Sequence, residues 1–208
     1  MYTYVIGDIQ GMLDKLESLL RKIPFKKDRD TLAFVGNYVG RGPDSKGVID
    51  RVLSLRDRGL RLICLKGNHE QMFLNFLAGR EPHIFLLNRG NTTLDSYRKQ
   101  SKGSIIIPAV HLSFLQELLP YYEAEDFILV HAGLRPGVAL ERQEEEDLLW
   151  IEQEFIHSRF DFGKRVVFGH TWFKTPYVDG CKIGIDTGAA HGNRLSCVRL
   201  PDVIFYSV

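Results

Sequence analysis

The sequence of 208 residues predicts an α/β fold, and three observations support this prediction. Short β-rich runs alternate with helical patterns through the first 77 residues, which is typical of a mainly parallel sheet covered by helices. Strand-like runs return after residue 126. The composition is that of an ordinary globular chain, with 44% hydrophobic and 25% charged residues, which excludes disorder, collagen-like repeats and coiled coils. The length fits one domain over residues 1–208.

The first half of the chain predicts three strand–helix units. Leucines at helical spacing after the first strand indicate an amphipathic helix, and Asp44 is a suitable N-cap for the second helix. The predicted elements are strands at Tyr2–Ile6, Leu32–Val35 and Leu62–Leu65, with helices at Met12–Lys22, at Ser45–Arg58 and from the GNHE motif through Leu77.

Residues 80–126 interrupt this alternation. They contain two helical patterns, Thr92–Arg98 and His111–Leu119, and no convincing strand, so they predict a helical cap or insertion. The acidic run Glu141–Asp147 indicates a solvated loop or the start of a helix. Later strands are predicted at Phe127–Val130, Val166–Phe168, Lys182–Ile185, Leu195–Arg199 and Val203–Tyr206.

Charge and cysteine usage narrow the class of protein. The 27 basic and 26 acidic residues give a net charge of +1, which argues against a nucleic-acid-binding or membrane-binding surface. No apolar run approaches the ~20 residues of a membrane span. The first residues lack the basic region and long apolar segment of a signal peptide, and the three cysteines lie in strand-like runs as expected for free thiols. We therefore expect a cytoplasmic protein.

Chemically active side chains follow successive predicted strands. Gly7–Asp8 follows the first strand, the GNYVGRG loop follows the second, and GNHE follows the third. The motifs VHAG, GHT and DTGAAHG come after later strands. Ligands of open α/β sheets bind at the carboxyl ends of the strands, where Asp, Asn and His could together supply the oxygen and nitrogen ligands of a divalent transition metal.

Taken together, these motifs resemble the calcineurin-like metallophosphoesterases, and within them the bacterial branch of the phosphoprotein phosphatase family, which includes the symmetrical diadenosine tetraphosphatases. The resemblance extends through VIGDIQG, GNHEQM, VHAGLRPG, DLLWI, GHT and IDTGAAHG. It implies the four-layer fold of that family, a two-sheet β-sandwich flanked by helices. It also implies two divalent metals (manganese, iron or zinc) and attack of a metal-bridging hydroxide on a phosphomonoester.

The resemblance assigns roles to individual positions. Asp8 corresponds to a carboxylate ligand of the first metal, and Asn37 occupies the position of the metal-bridging residue. His69 corresponds to the acid that protonates the leaving oxygen, and Arg41 to a guanidinium that binds the phosphate of the substrate. The ligands of the second metal correspond to Asn68, His131 and His170.

Four positions depart from the family pattern. Gln10 replaces a metal-binding His, and Asn37 replaces the bridging Asp. Gly40 replaces the Asp that orients the acid, and Glu152 stands where a second phosphate-binding Arg is usual. Neutral amides are poorer ligands for transition metals than imidazole or carboxylate, so we expect one ion at the second position, or none.

These departures leave three interpretations open. The first is a phosphoesterase with weakened activity towards a phosphorylated protein or a small phosphate ester. The second is a pseudophosphatase that retains the fold as a binding or regulatory module. In the third, the retained polar residues are hydrogen-bonded structural groups. A separate hypothesis is that the Glu152 carboxylate forms an ion pair with Arg41 and blocks the phosphate site, rather than pointing into solvent.

Overall fold

The computed structural model describes residues 1–100 and 103–208. The strands of these described residues are β1 (Thr3–Ile6), β2 (Thr31–Phe34), β3 (Arg61–Cys64), β4 (Tyr121–Glu123), β5 (Phe127–Val130), β6 (Arg165–Phe168), β7 (Tyr177–Asp179), β8 (Lys182–Gly184), β9 (Ser196–Leu200) and β10 (Ile204–Ser207). The α-helices are α1 (Leu13–Lys22), α2 (Ser45–Asp57), α3 (Asn68–Leu77), α4 (Pro82–Leu87), α5 (Gly90–Gln100), α6 (Ala109–Gln116), α7 (Glu145–Trp150) and α8 (Gln153–Ile156).

The strands form two five-stranded mixed sheets. The first has the order β10-β9-β1-β2-β3, in which β1, β2 and β3 are parallel and β9 and β10 are antiparallel. The second has the order β4-β5-β6-β8-β7, in which β5, β6 and β8 are parallel and both edge strands are antiparallel. Each sheet therefore delivers the loops after three parallel strands to one edge.

The two sheets pack face to face around an apolar layer. Val5 and Val35 of the first sheet share a buried cluster with Leu129 and Val167 of the second. Helices α1, α2, α3, α5 and α6 contribute to a second cluster on the outer face of the first sheet. Helices α7 and α8 cover the outer face of the second sheet. This arrangement is the four-layer sandwich that the family resemblance implies.

The structure corrects the sequence analysis in several places. The sheets are mixed, because β9 and β10 run antiparallel to the strands that the alternation predicts. The region 80–126, predicted to lack a strand, contains β4, which pairs with β5. The short elements α4 and β7 were not predicted. Asp44 does cap α2, since its side chain accepts a hydrogen bond from the backbone N of Gly47 at 2.9 Å.

Cys64, Cys181 and Cys197 are free thiols. Within residues 1–100 and 103–208, no helix is long and apolar enough to cross a membrane.

Candidate active site

The side chains singled out by sequence meet at one edge of the sandwich. Asp8 follows β1, Asn37 follows β2, and His170 follows β6, in loops from both sheets. The backbone N of His170 donates to Oδ1 of Asp8 at 3.2 Å, which joins the two sheets directly at the site. Gln10, Asn37 and His170 all have positive φ, between 46° and 59°. Such strained backbone in non-glycine residues clusters at functional sites.

Asn37 makes a closed set of hydrogen bonds at the first metal position. Its Nδ2 donates to Oδ2 of Asp8 at 2.8 Å, and its Oδ1 accepts from the backbone N of His69 at 3.1 Å. Burial, followed by the nearby charge of Asp186, raises the pKa of Asp8. The Asn37 amide thus satisfies an oxygen of Asp8 that would otherwise face a cation. The oxygen Oε1 of Gln10 is buried and has no hydrogen-bond partner.

The hydrogen bonds differ at the candidate position of the second metal. Nδ1 of His131 lies 2.8 Å from the carbonyl oxygen of Val35, so that nitrogen carries the proton of the neutral ring. Burial lowers the pKa of His131 well below its usual value, which keeps the ring neutral. Nε2 therefore presents a lone pair, and it lies 3.2 Å from Oδ1 of Asn68. Two lone-pair acceptors that lie 3.2 Å apart can both bind the same cation.

His170 completes this group. Its ring centroid lies 5.2 Å from that of His131. Its ring is hydrogen-bonded to the backbone of Trp150, and its Nε2 is buried without a hydrogen-bond partner. Burial lowers the pKa of His170, so this second imidazole is also available as a neutral ligand.

The residues at the second position fit a divalent transition metal, and those at the first do not. Asn68, His131 and His170 offer one amide oxygen and two imidazole nitrogens, a donor set suited to zinc, iron or manganese. At the first position, Asp8 is already hydrogen-bonded to the Asn37 amide. Within the part of the chain that the structure describes, no group of three His, Cys, Asp or Glu is placed to hold a metal. Metal binding by Asn68, His131 and His170 would therefore need the amide oxygen of Asn68 as the third ligand.

Residue 40 is a glycine where the resemblance implies a carboxylate that orients His69. Nδ1 of His69 is buried and has no hydrogen-bond partner. Burial, together with the charges of Arg41 and His170, lowers the pKa of His69 to about 3. A Cβ atom at residue 40 would lie 3.0 Å from Nδ1 of His69, and Gly40 has φ +142°, where side chains are strained. An Asp at this position would require the loop to move.

Hydroxyl groups from α2 and α5 hold Gly40 in this conformation. The backbone N of Gly40 donates to Oγ of Ser45 at 3.2 Å and to Oγ1 of Thr93 at 3.1 Å. Thr92 donates to the Gly40 carbonyl oxygen. Because Gly40 precedes Arg41, this network sets the backbone path of the phosphate-binding candidate.

We expect Thr93→Val to lower the free energy of unfolding by about 1–3 kcal/mol, because it leaves a buried backbone N with one partner fewer and replaces a hydroxyl by a methyl. Thr93→Ser retains the hydroxyl and is the matched control. Chemical denaturation of the two variants gives the difference. Equal stability of the Val and Ser variants would show that the hydroxyl is not needed.

Glu152 does not form the ion pair with Arg41 that was one of the two alternatives open from the sequence. Its Oε1 is 3.5 Å from Nε2 of His170, and among the described residues no ion pair within 4.0 Å joins it to Arg41. The hypothesis of a Glu152–Arg41 pair over the phosphate site is therefore wrong. Glu152 precedes α8 and is 53% exposed, so its carboxylate stands at the rim of the site beside a candidate metal ligand.

Asp186 is a site residue that the sequence analysis did not assign. It is 4% exposed, lies two residues beyond β8, and its charge raises the pKa of Asp8. Burial raises the pKa of Asp186 itself to about 6. Its Oδ1 accepts from the backbone N of Gly188 at 2.8 Å. The position of Asp186 at the end of a predicted strand, within the motif DTGAAHG, was the signal that could have identified it as a site residue.

A double sheet between two layers of helices, with Asp, Asn and His side chains at the strand ends, is the architecture that the resemblance to the calcineurin-like phosphoesterases implies. Comparison with known proteins agrees. The family model of the calcineurin-like phosphoesterases matches residues 1–198, and this chain belongs to that family.

The names of individual relatives state several different activities. The chain is 29% identical over 206 residues to serine/threonine-protein phosphatase 1 of Salmonella typhimurium, covering 96% of this chain and 92% of the relative. It is 28% identical over 233 residues to the asymmetrical bis(5'-nucleosyl)-tetraphosphatase PrpE of Geobacillus thermodenitrificans, covering 100% of this chain and 94% of the relative. A crystal structure described as a candidate diadenosine tetraphosphatase superimposes with TM-score 0.77 at 26% identity, over 100% of this chain and 92% of that one.

Proposed function

We propose that this chain is a metal-dependent phosphoesterase that hydrolyses phosphate monoesters slowly and uses a single divalent ion. The observation that supports this proposal most strongly is that Nε2 of His131 lies 3.2 Å from Oδ1 of Asn68. Beside them, Nε2 of His170 has no hydrogen-bond partner and lies 3.5 Å from the Glu152 carboxylate. An ion held by these three residues would polarise a phosphoryl oxygen and neutralise charge at the transferred group.

The remaining residues bind and orient the ester. Arg41 has a buried Nε without a hydrogen-bond partner, and its charge acts on His69, His191 and Asp186. A planar guanidinium in this position suits bidentate binding of a phosphate group. His69 is the candidate for protonating the leaving oxygen, but no carboxylate orients its Nδ1.

Three features support weakened activity. The Asn37 amide occupies an oxygen of Asp8, so one ion must do what two ions do in a two-metal site. His69 lacks its orienting partner, and general acid catalysis typically contributes ~10²–10⁴-fold to the rate. Glu152 adds a negative charge at the rim where a phosphate dianion must enter.

The hydrogen bond between Asn37 and Asp8 also supports a second candidate, a pseudophosphatase that binds phosphorylated partners without turning them over. The two candidates differ in manganese-dependent turnover. The test is hydrolysis of 4-nitrophenyl phosphate with manganese or with a chelator, with Asn68→Ala as the comparison. We expect slow turnover that requires manganese and Asn68. Phosphate binding with no turnover above that of the Asn68 variant would favour the second candidate.

The names of the relatives favour a phosphorylated protein or a dinucleotide as the natural substrate, and a small phosphate ester is the third alternative. We also propose a cytoplasmic location, in keeping with the three free thiols.

Glu152→Arg is expected to strengthen the binding of inorganic phosphate by roughly tenfold, because it replaces a repelling charge at the rim with an attracting one. Glu152→Gln, which removes the charge without adding one, should give a smaller gain. Isothermal titration of each variant with phosphate measures the effect. Unchanged affinity in the Arg variant would show that residue 152 does not face the bound phosphate.

A further inference from the structure

Trp172 is a large apolar side chain that lies outside the three apolar clusters of the described residues. It is 53% exposed, although the neighbouring Phe173 packs against the core of the second sheet. It follows His170 by two residues, and its indole ring lies against Gly188, whose backbone N donates to Asp186 of the candidate site. An exposed indole ring offers a large flat apolar face together with a polar N–H group, which suits contact with a ligand.

The indole ring stacks on His191. The two ring centroids are 6.1 Å apart and the planes differ by 21°, a nearly parallel arrangement. His191 is itself exposed, at the end of the 3₁₀ turn Ala189–His191. We call Trp172 and His191 the aromatic shelf.

Several hydrogen bonds hold the two loops of the aromatic shelf together. The backbone N of Phe173 donates to the carbonyl oxygen of Asp186 at 2.9 Å. Asn193 donates through Nδ2 to the carbonyl oxygens of Lys174 and Thr187, at 3.0 and 2.7 Å. Lys15 of α1 donates to the carbonyl oxygen of Ala189 at 2.8 Å. The shelf is thus held in place before any ligand arrives, which lowers the entropic cost of binding.

The aromatic shelf adjoins the residues assigned to phosphate. Gly188 lies beneath the indole ring, where a Cβ atom would be 3.3 Å from Cε3 of Trp172. The backbone N of the same Gly188 donates to buried Asp186, which acts on Asp8. Burial and then the charge of Arg41 lower the pKa of His191, in agreement with a guanidinium close to the shelf. Trp172 is thus linked through Gly188 to Asp186, on which the charge of Arg41 also acts.

We propose that the aromatic shelf binds the planar ring of an aromatic phosphate ester, by stacking against Trp172, and so selects ring-bearing esters over alkyl esters. This inference rests on the proposed function, because it takes Arg41 as the site of the phosphate. A nucleobase and a phenyl ring share the required chemistry, since each offers a flat π face.

The test measures binding rather than turnover. Isothermal titration with manganese present compares adenosine monophosphate and phenyl phosphate with glycerol phosphate, which carries no ring. We expect the ring-bearing esters to bind about ten- to a hundredfold more tightly, the range that stacking of a base on an aromatic side chain gives. Trp172→Ala should remove this preference, and Trp172→Phe should keep most of it.

Matched controls separate the shelf from a general effect of aromatic side chains. Phe160 is 44% exposed and precedes β6 at the opposite end of that strand from His170, so Phe160→Ala should leave the preference unchanged. A larger gain for adenosine monophosphate than for phenyl phosphate would identify a nucleobase as the natural ring, and equal gains would identify any aryl group.

The outcomes distinguish this inference from the proposed function. If the protein does not hydrolyse 4-nitrophenyl phosphate but prefers ring-bearing esters in a way that depends on Trp172, the proposed activity is wrong and the aromatic shelf is supported. Equal affinity for ring-bearing and alkyl esters, no measurable binding of either, or a preference that survives Trp172→Ala would overturn the shelf, whether or not the protein hydrolyses 4-nitrophenyl phosphate.

Discussion

Replacing Gln10 with His and Asn37 with Asp together is expected to raise bound manganese from one ion to two per chain and to accelerate aryl phosphate hydrolysis by at least ~100-fold. The first metal position now offers one carboxylate, and that carboxylate is hydrogen-bonded to the Asn37 amide at 2.8 Å. The double change supplies an imidazole nitrogen and a bridging carboxylate at this position. Metal analysis and steady-state hydrolysis measure both effects.

The single changes serve as controls. Asn37→Asp alone replaces the hydrogen bond to Asp8 by two facing carboxylates, so in chelator it should cost about 1–3 kcal/mol of unfolding free energy. Manganese should restore much of that loss. Gln10→His alone should add little metal, because one ligand does not make a site. A double variant that binds no more manganese than the wild type would contradict the assignment of the first position.

His131→Ala should abolish metal binding at neutral pH, with a loss of affinity of more than ~100-fold. Changing a residue that only orients a metal ligand already lowers metal affinity by ~10–100-fold. His131 is proposed to be a ligand itself, so its loss should lower the affinity further. The variant should also lose hydrolysis and the stabilisation of the fold by manganese. Calorimetric titration with manganese and thermal unfolding with and without the ion provide the measurements.

His157 is exposed at the end of α8, away from the strand ends, and His157→Ala is the matched control. It should bind manganese like the wild type. Circular dichroism establishes whether the His131 variant is folded, since that ring is fully buried. A folded His131 variant that retains full manganese affinity would show that the ion, if bound, lies elsewhere.

Much of the fold could be predicted from the sequence because its signals are local. The strands β1, β2, β3 and β5 and the helices α1, α2 and α3 each carry a clear apolar period or cap, and their positions are confirmed within one or two residues. The three-residue strands β4 and β7 are too short to show an alternating pattern. The antiparallel direction of β9 against β1 depends on a pairing between distant segments, which periodicity does not report.

The candidate site could also be predicted only in part. Strand-end positions predicted that Asp8, Asn37 and His170 would lie together, and the hydrogen bonds among their loops agree. The rotamers that decide chemistry could not be predicted. Two placements of Glu152 were open from the sequence, an ion pair with Arg41 or exposure to solvent. Its carboxylate is exposed and lies beside His170, because residue 152 caps the short helix α8, two residues after Trp150, whose backbone contacts that ring.

The departures from the family pattern act on one side of the site. Asn37 satisfies Asp8 without a metal, and Gly40 leaves Nδ1 of His69 without a partner. The opposite side keeps two neutral imidazoles and an amide oxygen. This asymmetry is the physical basis of our proposal that the chain uses a single ion and turns over slowly.

The most direct test of the account is the number and position of manganese ions in a crystal grown with manganese, located by anomalous scattering. The account predicts one ion per chain, bound by Asn68, His131 and His170, with the Asn37 amide still donating to Asp8. Two fully occupied ions with Asn37 between them, or one ion on Asp8 and Gln10 alone, would contradict it.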